Sequence, residues 1–275
     1  MGEERILWGV LPYYLRRGIS RRDAVRLIAV AGVAGLSGCG SGGTVAAAVS
    51  TGTTSSTTTT STTSSGSCTQ GLEKTEGPYW VDGDTASPQR SDIKPDTITT
   101  TDTQGMTGIP LALTFAVYSY ATSGCTPVQN ARVDIWHANA VGVYSDEASQ
   151  NETRSSTLNE NFLRGYQLSD SSGLVTFTTI YPGWYGGRTA HIHVRIRTYD
   201  SSGKVLTNDT TQIFFDDAVN NAVYATANYT RSRARDTSNS ADSIYASALQ
   251  LTLTGSVSDG YVAGAYGIGL PFGTS

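Results

Sequence analysis

Between Leu174 and Arg197 the chain alternates, bends twice and alternates again, a pattern that restricts it to strands. The first run, Leu174-Val-Thr-Phe-Thr-Thr-Ile180, is rich in β-branched and aromatic residues. It follows Asp170-Ser-Ser-Gly173, residues that favour a tight turn, so it reads as one strand of a hairpin. Pro182 and Gly183 end it, and Gly186-Gly187 permits a second bend. In the second run, Ala190-His-Ile-His-Val-Arg-Ile-Arg197, successive side chains point to opposite faces. His191 and His193 therefore share one face, and Ile192, Val194 and Ile196 share the other. The apolar face can enter a core, while two imidazoles side by side can hold one metal ion. His-x-His alone is a weak signal, because an exposed polar strand face has the same spacing. Its neighbours sharpen it: Tyr185 lies upstream across the glycine bend with Arg188 between, and another turn-borne tyrosine, Tyr144, follows Asp134-Ile-Trp-His-Ala-Asn-Ala-Val-Gly142.

Similar short alternating runs recur at Leu111–Tyr118, Ala131–Trp136, Thr210–Phe215 and Ala248–Thr254, separated by turn residues. Strong helix formers are scarce and Thr, Val, Tyr and Gly abundant, which predicts an all-β fold, a β-sandwich of mainly antiparallel strands with long loops and little helix. The one helical patch expected is 217–226, and Arg231-Ser-Arg-Ala-Arg235 reads as a solvated basic loop.

The beginning of the chain has a different character. Ser20-Arg-Arg-Asp-Ala-Val-Arg-Leu27 resembles a twin-arginine export signal, an apolar run follows it, and Leu36-Ser-Gly-Cys39 resembles a bacterial lipobox. The apolar run is about ten residues, short of the roughly twenty that span a bilayer, so residues 1–38 are expected to be a cleaved signal peptide. Cys39 would then carry lipid, and lipid would be the only membrane attachment, on the outer side of a bacterial cell membrane or in the periplasm. Residues 39–67 are almost entirely Ser, Thr, Gly and Ala, which cannot bury enough apolar area to offset the entropy of ordering and predict a flexible tether. The folded domain is expected over 68–275. Cys68 and Cys125 remain within it, as a disulfide or as two free thiols. The formal net charge is −4, and without the leader's six arginines, Glu3, Glu4 and Asp23, the 13 basic and 20 acidic residues that remain give −7. That balance argues against a nucleic-acid partner.

The run from Pro127 to Asp146, with Arg164-Gly-Tyr-Gln167, Thr179-Ile-Tyr-Pro-Gly-Trp-Tyr185 and Arg188-Thr-Ala-His-Ile-His193, resembles the intradiol ring-cleavage dioxygenases, the catechol and protocatechuate enzymes. The likeness extends upstream to Glu76-Gly-Pro-Tyr-Trp80 and Arg90-Ser-Asp-Ile93, and downstream to Thr211-Gln-Ile-Phe-Phe-Asp216. It implies one non-haem ferric ion per chain, held by Tyr144, Tyr185, His191 and His193. Those residue types suit the ion, because a hard, highly charged cation favours anionic oxygen beside imidazole and should strip the proton from a phenol. The resemblance further implies a catechol-type aromatic diol and O2 as substrates and ring opening between the two hydroxyl-bearing carbons to a muconate-type dicarboxylic acid. Tyr185 would leave the iron to take up a substrate proton, Arg188 would stabilise negative charge on the ring, Gln212 would line the pocket, and Tyr79 and Trp80 would wall it. His137 has no ligand role by this likeness and reads as structural. The competing reading is a non-catalytic, membrane-tethered β-sandwich binding module, which has no reason to carry this ligand set. The chain departs from the catechol dioxygenases in having a Ser/Thr stretch where they carry a helical dimerisation region, so the resemblance assigns no oligomeric state. No residue is assignable to a substrate carboxylate.

The export reading makes its own prediction. Replacing Arg21 and Arg22 by Lys should leave precursor in the cytoplasm, and Cys39→Ala should release the protein from the membrane fraction. Membrane attachment that survives loss of Cys39 would exclude the lipid anchor.

Overall fold

In the computed structural model, which describes residues 69–99, 104–148 and 156–273, the alternating runs form strands. In chain order these are β1 (Gln70–Leu72), β2 (Pro110–Ala121), β3 (Gly124–Pro127), β4 (Arg132–Trp136), β5 (Arg164–Leu168), β6 (Leu174–Ile180), β7 (His191–Tyr199), β8 (Val205–Phe214), β9 (Leu253–Ser256) and β10 (Gly260–Gly273), with one α-helix, α1 (Asp217–Tyr224). One sheet runs β1-β10-β2-β3, with β6 also on β2 and β9 on β10; the other runs β5-β4-β7-β8. Among these strands only β1–β10 and β10–β2 pair in parallel. The all-β, mainly antiparallel expectation is therefore met.

The core lies between the sheets. Leu111, Leu113, Phe115 and Val117 of β2 and Val175 and Phe177 of β6 meet Val133 and Ile135 of β4, Ile192, Val194 and Ile196 of β7, and Ile213 of β8. Ile192, Val194 and Ile196 are fully buried, each contributing about 2 kcal/mol of apolar burial. Alternation then turns Trp136, His191, His193 and Gln212 to the opposite face of the four-stranded sheet. Register places Trp136 opposite His193, and His193 opposite Gln212.

Three expectations change. Asp170–Gly173 is a tight turn, with Gly173 N–H bonded to Asp170 O at 2.9 Å and Asp170 Oδ1 accepting Ser172 N–H and Leu174 N–H. It does not close a hairpin, however: β5 before it pairs with β4 and β6 after it pairs with β2, so the turn carries the chain from one sheet to the other. The run Ala248–Thr254 does alternate in burial at Leu249 and Leu251, but a 3₁₀ turn, Ser247–Leu249, opens it and only Gln250 bridges to Phe214; β9 begins later, at Leu253. Its apolar period comes from crossing an interior, without a full ladder. The Arg231–Arg235 loop is only partly solvated. Arg231 Nη1 donates to Trp184 O at 2.6 Å and Arg235 pairs with Asp217 at 2.6 Å. The helix falls where expected: Asp216 caps α1 by accepting Ala218 N–H at 2.7 Å.

Cys125, on β3, is disulfide-bonded. Cys68, Cys39, the 1–38 signal segment and the 39–67 tether lie outside the described residues.

His137 is a buried polar tie between the sheets. It follows β4, donates through Nδ1 to Ala138 O at 2.8 Å, and accepts through Nε2 from Thr179 Oγ1 of β6 at 2.7 Å. Burial, and to a smaller extent the nearby Arg164 charge, push its pKa down to about 4. The unfolded chain takes up this proton near pH 6.5 and the folded protein resists it, so stability is complete above that pH and lost as pH falls towards 4. The loss from His137 is about 3 kcal/mol. Denaturant unfolding measured across this window should show a shallower pH slope for His137→Gln than for wild type; an unchanged slope would contradict the assignment.

Candidate metal centre

The two histidines stand on a strand, whereas the two tyrosines are delivered by loops. Tyr144 follows a turn that Asn139 organises: its Oδ1 accepts Val141 N–H and Val143 N–H at 3.1 and 3.0 Å, and its backbone O accepts Gly183 N–H at 3.0 Å. Gly142 has φ +81°, and a Cβ there would sit 2.1 Å from Trp184 O, so only glycine lets the Tyr144 loop approach the loop carrying Tyr185 this closely. On the other loop, Arg188 N–H closes a turn onto Tyr185 O at 3.2 Å.

The four side chains converge. Tyr144 Oη and Tyr185 Oη lie 3.4 and 3.3 Å from His191 Nε2. The imidazole rings are 4.9 Å apart between centroids, and the Tyr144 ring is 6.1 Å from that of His193. His191 Nδ1 donates to Thr189 O at 2.7 Å, which fixes the tautomer and leaves the Nε2 lone pair facing the phenols. His193 is held differently. Its ring stacks on Trp136 at 4.8 Å and 8°, and a Cβ on Gly77, φ +72°, would come within 3.1 Å of its Cε1. Both His193 nitrogens are buried without a hydrogen-bond partner among the described residues. Buried polar atoms without partners are costly, and a bound cation would satisfy one of these nitrogens.

Electrostatics favour the same use. Burial first, then Arg188, pushes His191 down to about 3, and burial with the neighbouring His191 takes His193 well below the imidazole range. Both rings are thus neutral and able to ligate at physiological pH. Burial raises Tyr144 far above its ordinary value, with Tyr185 adding to the rise; it raises Tyr185 too, against the pull of Arg188. In the protein alone both phenols keep their protons, so a cation is needed to make them anionic donors. Two phenols that a cation can ionise and two neutral imidazoles fit a hard, highly charged metal ion. Among the described residues no group of three or more His, Cys, Asp or Glu side chains offers a competing site.

Arg188 stands beside this cluster. Its Nη1 is 3.4 Å from both Tyr185 Oη and His191 Nε2, its Nη2 donates to Gln212 Oε1 at 2.5 Å, and its Nε donates to Asp242 Oδ2 at 2.8 Å. Gln212 in turn donates to Thr75 O at 2.8 Å. Tyr79 covers the phenols, stacked on Tyr144 at 4.2 Å and edge-on to Tyr185 at 5.6 Å. Trp80 is one layer further out, against Trp136 at 4.8 Å and beneath Arg195 at 4.6 Å, without ring contact to either tyrosine.

Two residues received no role from the sequence, although Arg164 stands in one of the motifs quoted above. Arg164, fully buried, ties the cover to the site through bonds from Nη1 to Tyr79 O (2.6 Å) and from Nη2 to Ser145 O (2.7 Å); burial lowers its pKa to about 10. Its place at the start of an alternating run was the available signal, since it faces the side that carries the histidines. Asp242 had none, being one acid in a loop.

Comparisons with known proteins place the chain in a family. A family model described as dioxygenase matches residues 75–241. Over 78 residues the chain is 37% identical to the protocatechuate 3,4-dioxygenase beta chain of Burkholderia cepacia, an alignment that covers 26% of this chain and 32% of that one. The chain thus matches about a third of the length of that curated relative. An intradiol ring-cleavage dioxygenase structure from Tetranychus urticae superposes with a TM-score of 0.59 at 28% identity, covering 76% of this chain and 98% of that one. A second solved dioxygenase has the same TM-score at 27% identity, with 76% and 97% covered. With a family model spanning more than half of its residues and solved relatives covered almost end to end, the chain belongs to the intradiol ring-cleavage dioxygenase family.

Proposed function

We propose that this protein is a non-haem ferric dioxygenase that opens catechol-type rings between the two hydroxyl-bearing carbons, yielding muconate-type dicarboxylic acids in aromatic compound catabolism. The observation that carries the reading is the meeting of Tyr144 Oη and Tyr185 Oη at one imidazole nitrogen, beside a second imidazole whose nitrogens have no partner among the described residues. Tyr144, Tyr185, His191 and His193 would hold one ferric ion per chain. When bound, the ion would supply a hard Lewis acid that favours loss of the diol's protons, and the diolate ring is electron-rich towards O2.

The remaining roles belong to side chains. Tyr185 is less deeply enclosed than Tyr144, and its Oη is the phenol that Arg188 touches. It is therefore the better placed of the two to take a proton from a substrate hydroxyl. Arg188 Nη1 points at the same corner and supplies fixed positive charge where the ring becomes negative. Gln212 holds the far side of that guanidinium. Tyr79 offers its ring as a wall over both phenols, and Trp80 backs Trp136, which in turn backs His193. We also propose that the protein is exported by the twin-arginine route and lipid-anchored at Cys39, on the sequence signals alone, and that Cys68 is the partner of Cys125.

Purified protein should be coloured by phenolate-to-iron charge transfer and contain about one iron per chain, and Tyr144→Phe or Tyr185→Phe should weaken or shift the band. Catechol and labelled dioxygen should give a dicarboxylic product with both oxygen atoms incorporated, and Arg188→Ala should lower kcat on the order of 100-fold. Colourless protein holding stoichiometric zinc, or a semialdehyde product, would falsify the reading.

A further inference from the structure

We infer that Asp242 is a positioning residue for the reaction, its buried carboxylate fixing the direction in which Arg188 presents its guanidinium to the Tyr185–His191 corner. This rests on the ferric dioxygenase reading above.

An arginine side chain has many rotamers, but its guanidinium is planar, so two anchored nitrogens determine where the third one points. Nε is anchored by Asp242 Oδ2 at 2.8 Å and Nη2 by Gln212 Oε1 at 2.5 Å, which leaves Nη1 facing Tyr185 Oη and His191 Nε2, each at 3.4 Å. Of the two anchors, only Asp242 is charged, and its side chain is 1% exposed. It also cannot turn freely. Oδ2 accepts a second bond from Thr189 N–H at 3.0 Å, and Oδ1 accepts Ile244 N–H at 2.8 Å. Its backbone N–H is tied to Ser238 O and Asn239 O at 3.2 and 3.3 Å. Asn239, beside it, accepts from Thr189 Oγ1 at 2.7 Å and donates to Phe215 O at 2.7 Å. The carboxylate is thus bonded to the strand start that carries His191, while Asn239 of the same loop ties that loop to Phe215, just past the end of β8. The residue lies just past the 75–241 span of the family model. A loop fastener would not need this placement, since a buried ion pair adds little net stability over apolar packing, whereas a fixed charge direction at a reacting corner matters for rate.

The test compares Asp242→Ala, Asp242→Asn, Arg188→Ala and the double variant Asp242→Ala/Arg188→Ala. Asp242→Ala should lower kcat about 100-fold while KM moves less than about 3-fold, with iron content and resting colour kept. The double variant should be no slower than Arg188→Ala, because both losses run through one guanidinium. Asp242→Asn keeps an oxygen acceptor for Nε and should recover part of the loss; it also carries the same cycle if the alanine variant does not fold. A measurement without turnover uses iron-free protein labelled with ¹⁵N-arginine, with the Arg188 signal assigned through Arg188→Lys. The Nε–H resonance should be protected from exchange in wild type and lose that protection in Asp242→Ala. Additive losses in the double variant, or an Nε–H that stays protected without Asp242, would overturn the proposal. Absence of catechol cleavage by wild type would sink the enzyme reading instead, and the exchange result would stand apart from it.

Discussion

Strand β7 has to meet two opposite demands on its two faces, and most of the architecture follows from the solution. Ile192, Val194 and Ile196 are fully buried in the inter-sheet core. With a period of two, that forces His191, His193, Arg195 and Arg197 onto the other face, which a simple sandwich would leave in water. Here His191 and His193 are nonetheless buried. A polar face taken out of water must be supplied with partners. Thr189 O serves His191, and Asp134 is met by both Arg132 and Arg197 at 2.9 and 2.8 Å. His193 and the Trp136 indole it stacks on meet aromatic surface, with no hydrogen-bond partner for their nitrogens among the described residues.

The cover over that face comes from sequence-distant pieces that reach it only where glycine removes a side chain. Gly77 brings the 75–80 segment against His193, and Gly142 brings the Tyr144 loop against Trp184. Arg164 then joins the cover to the Tyr144 loop by donating to Tyr79 O and Ser145 O. Each close approach leaves no room for bulk, which is why the pocket's aromatic wall is so near the phenols.

How much of this was legible depended on range. The facing of His191 and His193, the strands β2, β4, β6 and β7 and the start of α1 follow from period and local caps, so the chain displays them directly. Strand β10 was not legible, because its glycines and Pro271 hide a period that only pairing with β2 gives meaning. The Asp170 turn was read correctly as a turn and wrongly as a hairpin, since turn chemistry sets a local bend but not which strand the next segment joins. At the site, Tyr144, Tyr185, Arg188 and Gln212 were identified through motif likeness. Asp242 was invisible because nothing within its own loop requires it; its meaning lies in a guanidinium that folding brings from 54 positions away.

The difference between strand-borne imidazoles and loop-borne phenols has a mechanical consequence. Neighbouring strands on both edges clamp β7, so the two imidazoles are carried by the hydrogen-bonded interior of a sheet whose other face is the core. The two phenols sit on two turns that lean on each other at Gly142 and Trp184. Any displacement within the cluster is therefore partitioned unequally, with the sheet acting as anvil and the paired turns as spring.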